Sequence, residues 1–212
     1  MKKMLLSLLI AATLFFVMFS QWTSGYVNFW AVMSCTAALL TTLAFIFGKE
    51  WKQQFHISAK AVSLGILSAV ALWFVFYFGE MISTFLFDFA RPQIDSVYGM
   101  RKGENLTIIG LLLLLLIAPA EEIFWRGYIQ RTLTGRYGKN IAFVLATAAY
   151  TLVHIWSFNF ILIMAAMVVG CAWGWLYRQG ASLVTLIISH ALWDVAIFVL
   201  FPTSKYFITN HI

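Results

Sequence analysis

Long apolar runs separated by short polar segments make up almost the whole chain. Seven runs can be delimited, and most approach the roughly 20 residues that a helix needs to cross a bilayer. Their approximate ranges are 4–20, 26–48, 61–87, 105–134, 140–156, 158–177 and 182–201. The pattern predicts an all-α, polytopic membrane protein with about seven transmembrane helices.

The first run and the longest polar segment decide how the chain is divided. The first run follows two lysines and resembles a signal peptide, but about 17 apolar residues are long for a signal sequence. We therefore predict a retained first span, with a cleaved signal as the alternative. The polar segment 88–104 contains proline and glycine and predicts a boundary. The predicted parts are residues 1–104 with three spans, residues 105–201, and a C-terminal tail of residues 202–212.

Composition agrees with a membrane protein and excludes soluble classes. Hydrophobic residues make up 62% of the 212 residues and charged residues 10%, and the net charge is +6. No nucleic acid is expected as a partner, because an excess of Lys and Arg in cytoplasmic loops explains the positive charge. Alternate loops carry nine and four basic residues, which predicts a cell-membrane protein with a cytoplasmic N-terminus and an outside C-terminus. The outer four are Arg91, Arg101, Lys102 and Lys205.

Three further features of the runs lead to structural expectations. The third run is expected to break near Gly79 and Glu80, with Glu80 reaching the membrane interface. Nine Trp and twenty Phe residues are expected mainly at lipid contacts and interfacial belts. Gly170 and Gly174 have the spacing of small residues that let two membrane helices approach closely.

Ionisable side chains inside the fourth run are the first functional signal. Residues 118–127 read APAEEIFWRG and directly follow six leucines and an isoleucine. Glu121, Glu122 and Arg126 therefore fall where the sequence otherwise reads as membrane interior. A charge at the bilayer centre costs roughly 2.5–3.5 kcal/mol even on lenient scales, so such a cluster indicates a functional site.

Two later runs carry polar pairs at a similar depth. His154 follows Tyr150 by one helical turn, and Asp194 follows His190 by one turn. At a rise of 1.5 Å per residue, the polar groups of all three runs lie about 15–21 Å from loops on one predicted side. The three helices are therefore predicted to converge on one site.

Spacing within the fourth run suggests how its charges are used. Glu122 and Arg126 lie one turn apart and can form an ion pair, which leaves Glu121 free for chemistry. For this pair alone, an ion pair that only fixes helix packing is an equal alternative. Pro119 removes a backbone hydrogen bond and is expected to kink the helix beside the two acids.

A free carboxylate with two histidines and a further acid matches the needs of peptide hydrolysis. A base must take a proton from water, and donors must meet the developing oxyanion. The same set, Glu121, His154 and His190, can instead bind a divalent metal such as zinc with an open position. The residues leave both forms of water activation open.

Together the three motifs resemble the CPBP family of intramembrane endopeptidases. That family includes the CAAX prenyl proteases and bacterial proteins linked to bacteriocin processing and self-immunity. The resemblance covers about residues 105–201 and implies a four-helix catalytic core. The matching motifs are Glu121-Glu122-x-x-x-Arg126, Tyr150-x-x-x-His154 and His190-x-x-x-Asp194.

The resemblance also implies a role for each residue of the motifs. Glu121 and His154 would activate water, His190 and Asp194 would line the oxyanion side, and Glu122 with Arg126 would organise the site. Two positions depart from the family pattern, which usually has Phe at Tyr150 and often Asn at Asp194. An ionised Asp194 cannot donate to an oxyanion. It must be protonated, orient His190 or bind a cation.

The expected partners are membrane lipid and a peptide or protein substrate, either CAAX-like or bacteriocin-leader-like. One alternative is a non-catalytic immunity or binding protein of the same fold. A second alternative is an ion-coupled transporter, since acid and histidine chains also relay protons in membranes. The second is disfavoured because the sequence shows no related halves.

Overall fold

A computed structural model describes residues 1–203, and within that range the chain is helical with no strand. Ten α-helices follow one another, with three π-helical segments continuing α6, α7 and α10. The π segments are Leu113–Ile117, Ile123–Gln130 and Ala196–Leu200. The α-helices are α1 (Lys2–Phe19), α2 (Phe29–Phe47), α3 (Trp51–Gln54), α4 (Ala59–Leu86), α5 (Ala90–Gly99), α6 (Leu106–Leu112), α7 (Ala118–Glu122), α8 (Arg131–Leu152), α9 (Phe160–Arg178) and α10 (Leu183–Val195).

Polar N-cap residues explain where five of these helices begin. Each cap side chain accepts a hydrogen bond from a backbone N–H of the first turn, which would otherwise lack a partner. The caps are Asn28, Ser58, Asn105, Asn159 and Ser182. The short polar segments of the sequence thus supply the residues that start the apolar helices.

The described residues contain six helical segments that are long and apolar enough to cross a membrane. One of them, Leu106–Ser157, has 52 residues, about twice the length of one span. It divides at Gly138, whose φ of 78° and ψ of 165° are not helical. A straight helix would hold Glu121 and Tyr150 about 43 Å apart, yet the Tyr150 hydroxyl lies 2.9 Å from the Glu121 carboxylate. The chain therefore reverses at Gly138, so the segment consists of two helices, and an all-α, polytopic membrane protein is confirmed.

Contacts between loops show which helix ends lie on the same face of the molecule. On one face, the Asn159 amide donates to the Gln93 carbonyl at 2.8 Å and the Asn28 amide donates to Glu104 at 3.0 Å. On the opposite face, Arg131 bonds Glu50. Residues 88–104 thus share a face with the loops before α2 and α9, as the alternation of seven spans requires. Lys205 and residues 204–212 of the predicted tail lie outside the described residues.

The expected break in the third span is wrong. Helix α4 runs without interruption through Gly79 and Glu80. Glu80 is buried, and it accepts hydrogen bonds from Arg91 at 2.9 Å and from Thr203 at 2.5 Å. A charged partner on α5 and a hydroxyl stabilise the carboxylate inside the protein, so the helix does not need to end there.

Pro119 alters the hydrogen bonding of its helix without ending it. Because proline has no N–H, the preceding turn cannot keep the regular pattern. The preceding segment Leu113–Ile117 is π-helical, and a second π segment follows Glu122. Wider turns of this kind inside α-helices often occur at functional sites. The two glutamates lie in the short α-helical piece between them.

The core joins the two predicted halves of the chain. Helix α4 packs along α10, where the Ser68 hydroxyl donates to Ser189 at 2.9 Å. Gly65 is needed there, since a Cβ at this position would come within 2.9 Å of Ile188. Helix α2 packs against α7 and the π segment after it. The division at residue 104 stays a prediction. Helices from before and after this residue pack together in the same core.

Candidate active site

The structure brings all six predicted site residues into one buried region. Their side chains come from α7 and its π-helical continuation, from the turn after α8, and from α10. Each is at most 9% exposed, and Glu122 is completely buried. The residues are Glu121, Glu122, Arg126, His154, His190 and Asp194.

Glu121 is held by a tyrosine from the neighbouring pass. The Tyr150 hydroxyl donates a hydrogen bond to Glu121 Oε2 at 2.9 Å. The ring of Tyr150 packs edge-on against Trp125, with 5.4 Å between ring centroids. The hydroxyl that distinguishes this position from the usual phenylalanine therefore positions the carboxylate predicted to act as the base.

Glu122 connects two of the three motifs. Its Oε1 accepts from Arg126 Nη1 at 2.9 Å, so the predicted ion pair is present. The same oxygen lies 2.8 Å from His190 Nδ1. Oε2 is buried and has no hydrogen-bond partner among residues 1–203. Two positively polarised groups on one oxygen offset the cost of burying this carboxylate.

Arg126 is enclosed by aromatic rings as well as by its ion pair. The guanidinium carbon lies 4.8 Å from the centroid of the Tyr150 ring and 5.5 Å from that of Trp173. A guanidinium over an aromatic face is stabilised by the charge distribution of the ring. Arg126 thus links the glutamate helix to α8 and α9 at once.

His190 has a carboxylate near each ring nitrogen and an aromatic ring against one face. Nδ1 meets Glu122, and Nε2 lies 3.5 Å from Asp194 Oδ2. The imidazole stacks on Trp173 with centroids 3.8 Å apart and planes 22° apart. Trp173 is held in turn, because its indole N–H donates to Ser189 at 3.0 Å. Asp194 therefore lies beside Nε2 of His190, and the three roles considered for it stay predictions.

His154 lies just beyond the last residue of α8, within the apolar segment Leu106–Ser157. Helix α8 ends at Leu152, and His154 begins the following turn. Its Nδ1 lies 2.8 Å from the Tyr150 carbonyl oxygen. A carbonyl can only accept, so Nδ1 carries the hydrogen and the neutral ring keeps its lone pair on Nε2. Phe15 and Phe19 of α1 cover the ring at centroid distances of 5.1 and 5.4 Å.

Several residues of the site were not predicted. Trp125, Trp173 and Phe15 are nearly fully buried, unlike the aromatic side chains that face outward along the helices, such as Phe74 and Phe85. Helix α1 carries no motif, and only the tertiary packing reveals its contribution. The usable signal for Trp173 was its position one residue before Gly174, on the helix predicted to pack closely.

The predicted contact of the two glycines is confirmed and has a second role. A Cβ at Gly170 would come within 3.2 Å of the Tyr150 ring, and one at Gly174 within 3.1 Å of Phe143. Two carbonyls of α9 also accept hydrogen bonds from the π-helical segment that follows α7. The Gly174 carbonyl accepts from the Gln130 amide at 2.9 Å, and the Gly170 carbonyl accepts from Arg126 at 3.5 Å.

The arrangement does not fit the predicted three-ligand metal site. Among residues 1–203, no three His, Cys, Asp or Glu side chains come together as a metal-binding group. Both nitrogens of His190 already face carboxylates, and Nδ1 of His154 faces a carbonyl.

The part of the chain that carries the three motifs is similar to a known protein family. Residues 103–196 match the family described as type II CAAX prenyl endopeptidase Rce1-like. Neither a curated protein nor a solved structure matches the chain. The match contains all three motifs and every predicted site residue. Over residues 103–196, this multi-pass membrane protein is similar to the Rce1-like family of type II CAAX prenyl endopeptidases, which is a family of proteases.

Proposed function

We propose that the protein is an intramembrane endopeptidase that hydrolyses a peptide bond in a membrane-associated peptide or protein. The observation that carries the proposal is the placement of Glu121, which Tyr150 positions in the same buried region as His154, His190 and Asp194. A structural ion pair already exists in Glu122 and Arg126. Packing alone gives no reason for a second buried glutamate beside two histidines.

In the proposed reaction, Glu121 and His154 activate a water molecule. One of them takes a proton from the water as its oxygen attacks the scissile carbonyl carbon. Nε2 of His154 suits this role because its lone pair is free. The proton then passes to the amine that leaves. The C–N bond breaks, and a carboxylic acid and an amine are the products.

His190 is the proposed donor to the oxyanion. Its imidazole is held by Glu122 at Nδ1 and by stacking on Trp173. In the protonated ring, which the carboxylates of Glu122 and Asp194 favour, the N–H on Nε2 would be preorganised to donate to the oxyanion. Asp194 orients the ring in this scheme and does not itself donate. Glu122 and Arg126 act as positioning residues, because they hold His190 and the helices on which the base is carried.

The substrate is proposed to be either CAAX-like or similar to a bacteriocin leader peptide. Both are peptides that can reach a site buried among membrane helices. We further propose that the N-terminus is cytoplasmic and the C-terminus is outside. The excess of basic residues on the face that carries Lys49, Lys52 and Arg131 supports this orientation.

The first test is cleavage of a quenched fluorescent peptide library, containing prenylated and unprenylated members, by the purified protein. Glu121→Gln and His154→Ala are expected to lower kcat at least a hundredfold, because each removes a group that takes the proton. The control Lys102→Ala changes an exposed loop and is expected to keep full activity. Membrane insertion should be the same for all four proteins.

Two further outcomes separate the alternatives. Loss of wild-type activity on adding a chelator would show that a metal such as zinc is required after all. Absence of cleavage by the wild type, across the whole library, would favour a non-catalytic immunity or binding protein of this fold. Full activity of the Glu121→Gln protein would overturn the proposed base.

A further inference from the structure

A cavity separate from the candidate active site lies at the membrane face opposite to residues 88–104. Its volume is about 390 Å³, within the range of small-molecule sites in proteins. It is formed where several spans begin or end, namely at the end of α3, the start of α4, the reversal at Gly138, the end of α9 and the start of α10. None of the six predicted active-site residues lines it.

The lining of this cavity is strongly basic. It contains four cationic side chains and no Asp or Glu. Arg131 is partly neutralised by its ion pair with Glu50. The ammonium groups of Lys60 and Lys139, in contrast, have no hydrogen bond or ion pair with any part of residues 1–203. The four lining cations are Lys60, Arg131, Lys139 and Arg178.

Several groups around the cavity are held in place before anything binds. The Arg178 guanidinium donates to Asn140 from Nε at 2.8 Å and lies over the Trp175 ring at 4.5 Å. The hydroxyl of Tyr177 donates to Oε1 of Gln54 at 2.7 Å, and both side chains line the cavity. Because these side chains need not be ordered on binding, the entropic cost of binding a ligand is lower.

The surroundings place this cavity at the level of lipid headgroups. Ile57, next to the cavity, is 76% exposed, and Trp175 and Tyr137 are 47% and 42% exposed. Trp and Tyr at the ends of membrane helices mark the boundary between hydrocarbon and headgroups. A ligand with one anionic group and apolar chains can contact both the cations and these exposed apolar surfaces.

We propose that this basic cavity binds the phosphate headgroup of an anionic phospholipid. Basic pockets between transmembrane helices on the cytoplasmic side are suited to such headgroups, and the proposed orientation puts the cavity on that side. A soluble phosphate compound would use the cations alone and leave the exposed apolar rim uncovered. The proposal does not depend on the proteolytic activity.

The test measures lipid retention by native mass spectrometry of the delipidated protein in a neutral detergent. Dioleoylphosphatidylglycerol, dioleoylphosphatidylcholine and inorganic phosphate are titrated separately. The double variant Lys60→Gln/Lys139→Gln removes two lining charges. Its matched control, Lys49→Gln/Lys52→Gln, removes two charges from the same face outside the cavity.

The wild type is expected to bind phosphatidylglycerol at least tenfold more tightly than phosphatidylcholine. At about 1 kcal/mol for each basic residue near a membrane surface, the cavity variant should bind it about thirtyfold more weakly. The control should stay within about threefold of the wild type, since its lysines do not line the cavity. The single variant Lys139→Gln, at an exposed turn, should weaken binding about fivefold and guards against misfolding of the double variant.

Two results would overturn the proposal. Equal weakening in the cavity variant and the control would mean that lipid responds to overall charge and not to this site. Binding of inorganic phosphate without preference between the two lipids would assign the cavity to a soluble phosphate compound instead.

Discussion

At the scale of single residues, one hydroxyl distinguishes this site from the family pattern that it resembles. Tyr150 stands where phenylalanine is usual, and its hydroxyl is a hydrogen-bond donor to Glu121 in the described structure. The ring makes the packing contacts with Trp125 and His154 regardless of the hydroxyl. The two contributions of Tyr150, packing and positioning, can therefore be separated by one substitution.

We predict that Tyr150→Phe lowers kcat about tenfold, or ~1.4 kcal/mol, with little change in KM. A hydrogen bond to a charged group has a net value of about that size. The ring contacts persist, so the unfolding midpoint should stay near that of the wild type. The measurement is steady-state cleavage of the best library peptide. Tyr26→Phe, at a tyrosine that is 89% exposed, serves as the control, and an unchanged kcat in Tyr150→Phe would contradict the positioning role.

At the scale of elements, the approach of α9 to α8 determines whether the site can form. Gly170 lets the two helices come close enough for Arg126 to lie over both Tyr150 and Trp173. Helix association inside a membrane depends on such close packing, because lipid already solvates apolar side chains. A larger residue at Gly170 should therefore destabilise the protein and also displace Tyr150 from Glu121.

Gly170→Leu is expected to lower the free energy of unfolding by about 1–3 kcal/mol, because a side chain would collide with Tyr150 and Thr147. Activity should fall with it, since Tyr150 holds Glu121. Thermal unfolding in detergent measures the first effect. Gly79→Leu is the matched control, as it lies in helix α4 with open space around the added carbon. Comparable destabilisation by both substitutions would show that close packing at Gly170 is not the cause.

At the scale of the whole molecule, the two faces are distinguished by charge. Residues near Lys52 and residues near Lys102 lie on opposite faces in the described structure, as the loop contacts require. In a living cell these faces meet different compartments. The sidedness follows from the proposal that the more basic face is cytoplasmic.

A cysteine-labelling experiment in intact cells tests this orientation. Cys35 and Cys171 are first replaced by alanine, because both are exposed on the helices. A membrane-impermeant maleimide should then label Lys102→Cys in intact cells and Lys52→Cys only after lysis. The opposite pattern would reverse the orientation, and with it the side assigned to the basic cavity.

Much of this molecule follows from local sequence properties. Apolar length determines the spans, and the positions of Asn and Ser determine where five helices begin. The spacing of Glu122 and Arg126 determines their ion pair, because one helical turn brings them to the same face. These features depend on neighbours within a few residues, so they can be predicted without knowledge of the fold.

Other features depend on contacts between distant parts of the chain, and only the tertiary structure decided them. His190 meets Glu122 across 68 residues, and Phe15 covers His154 from a helix without any motif. Glu80 stays inside an unbroken helix because Arg91 and Thr203 reach it. Local patterns show which residues are costly to bury. They do not show which partners offset that cost, because the partners are brought close only by packing.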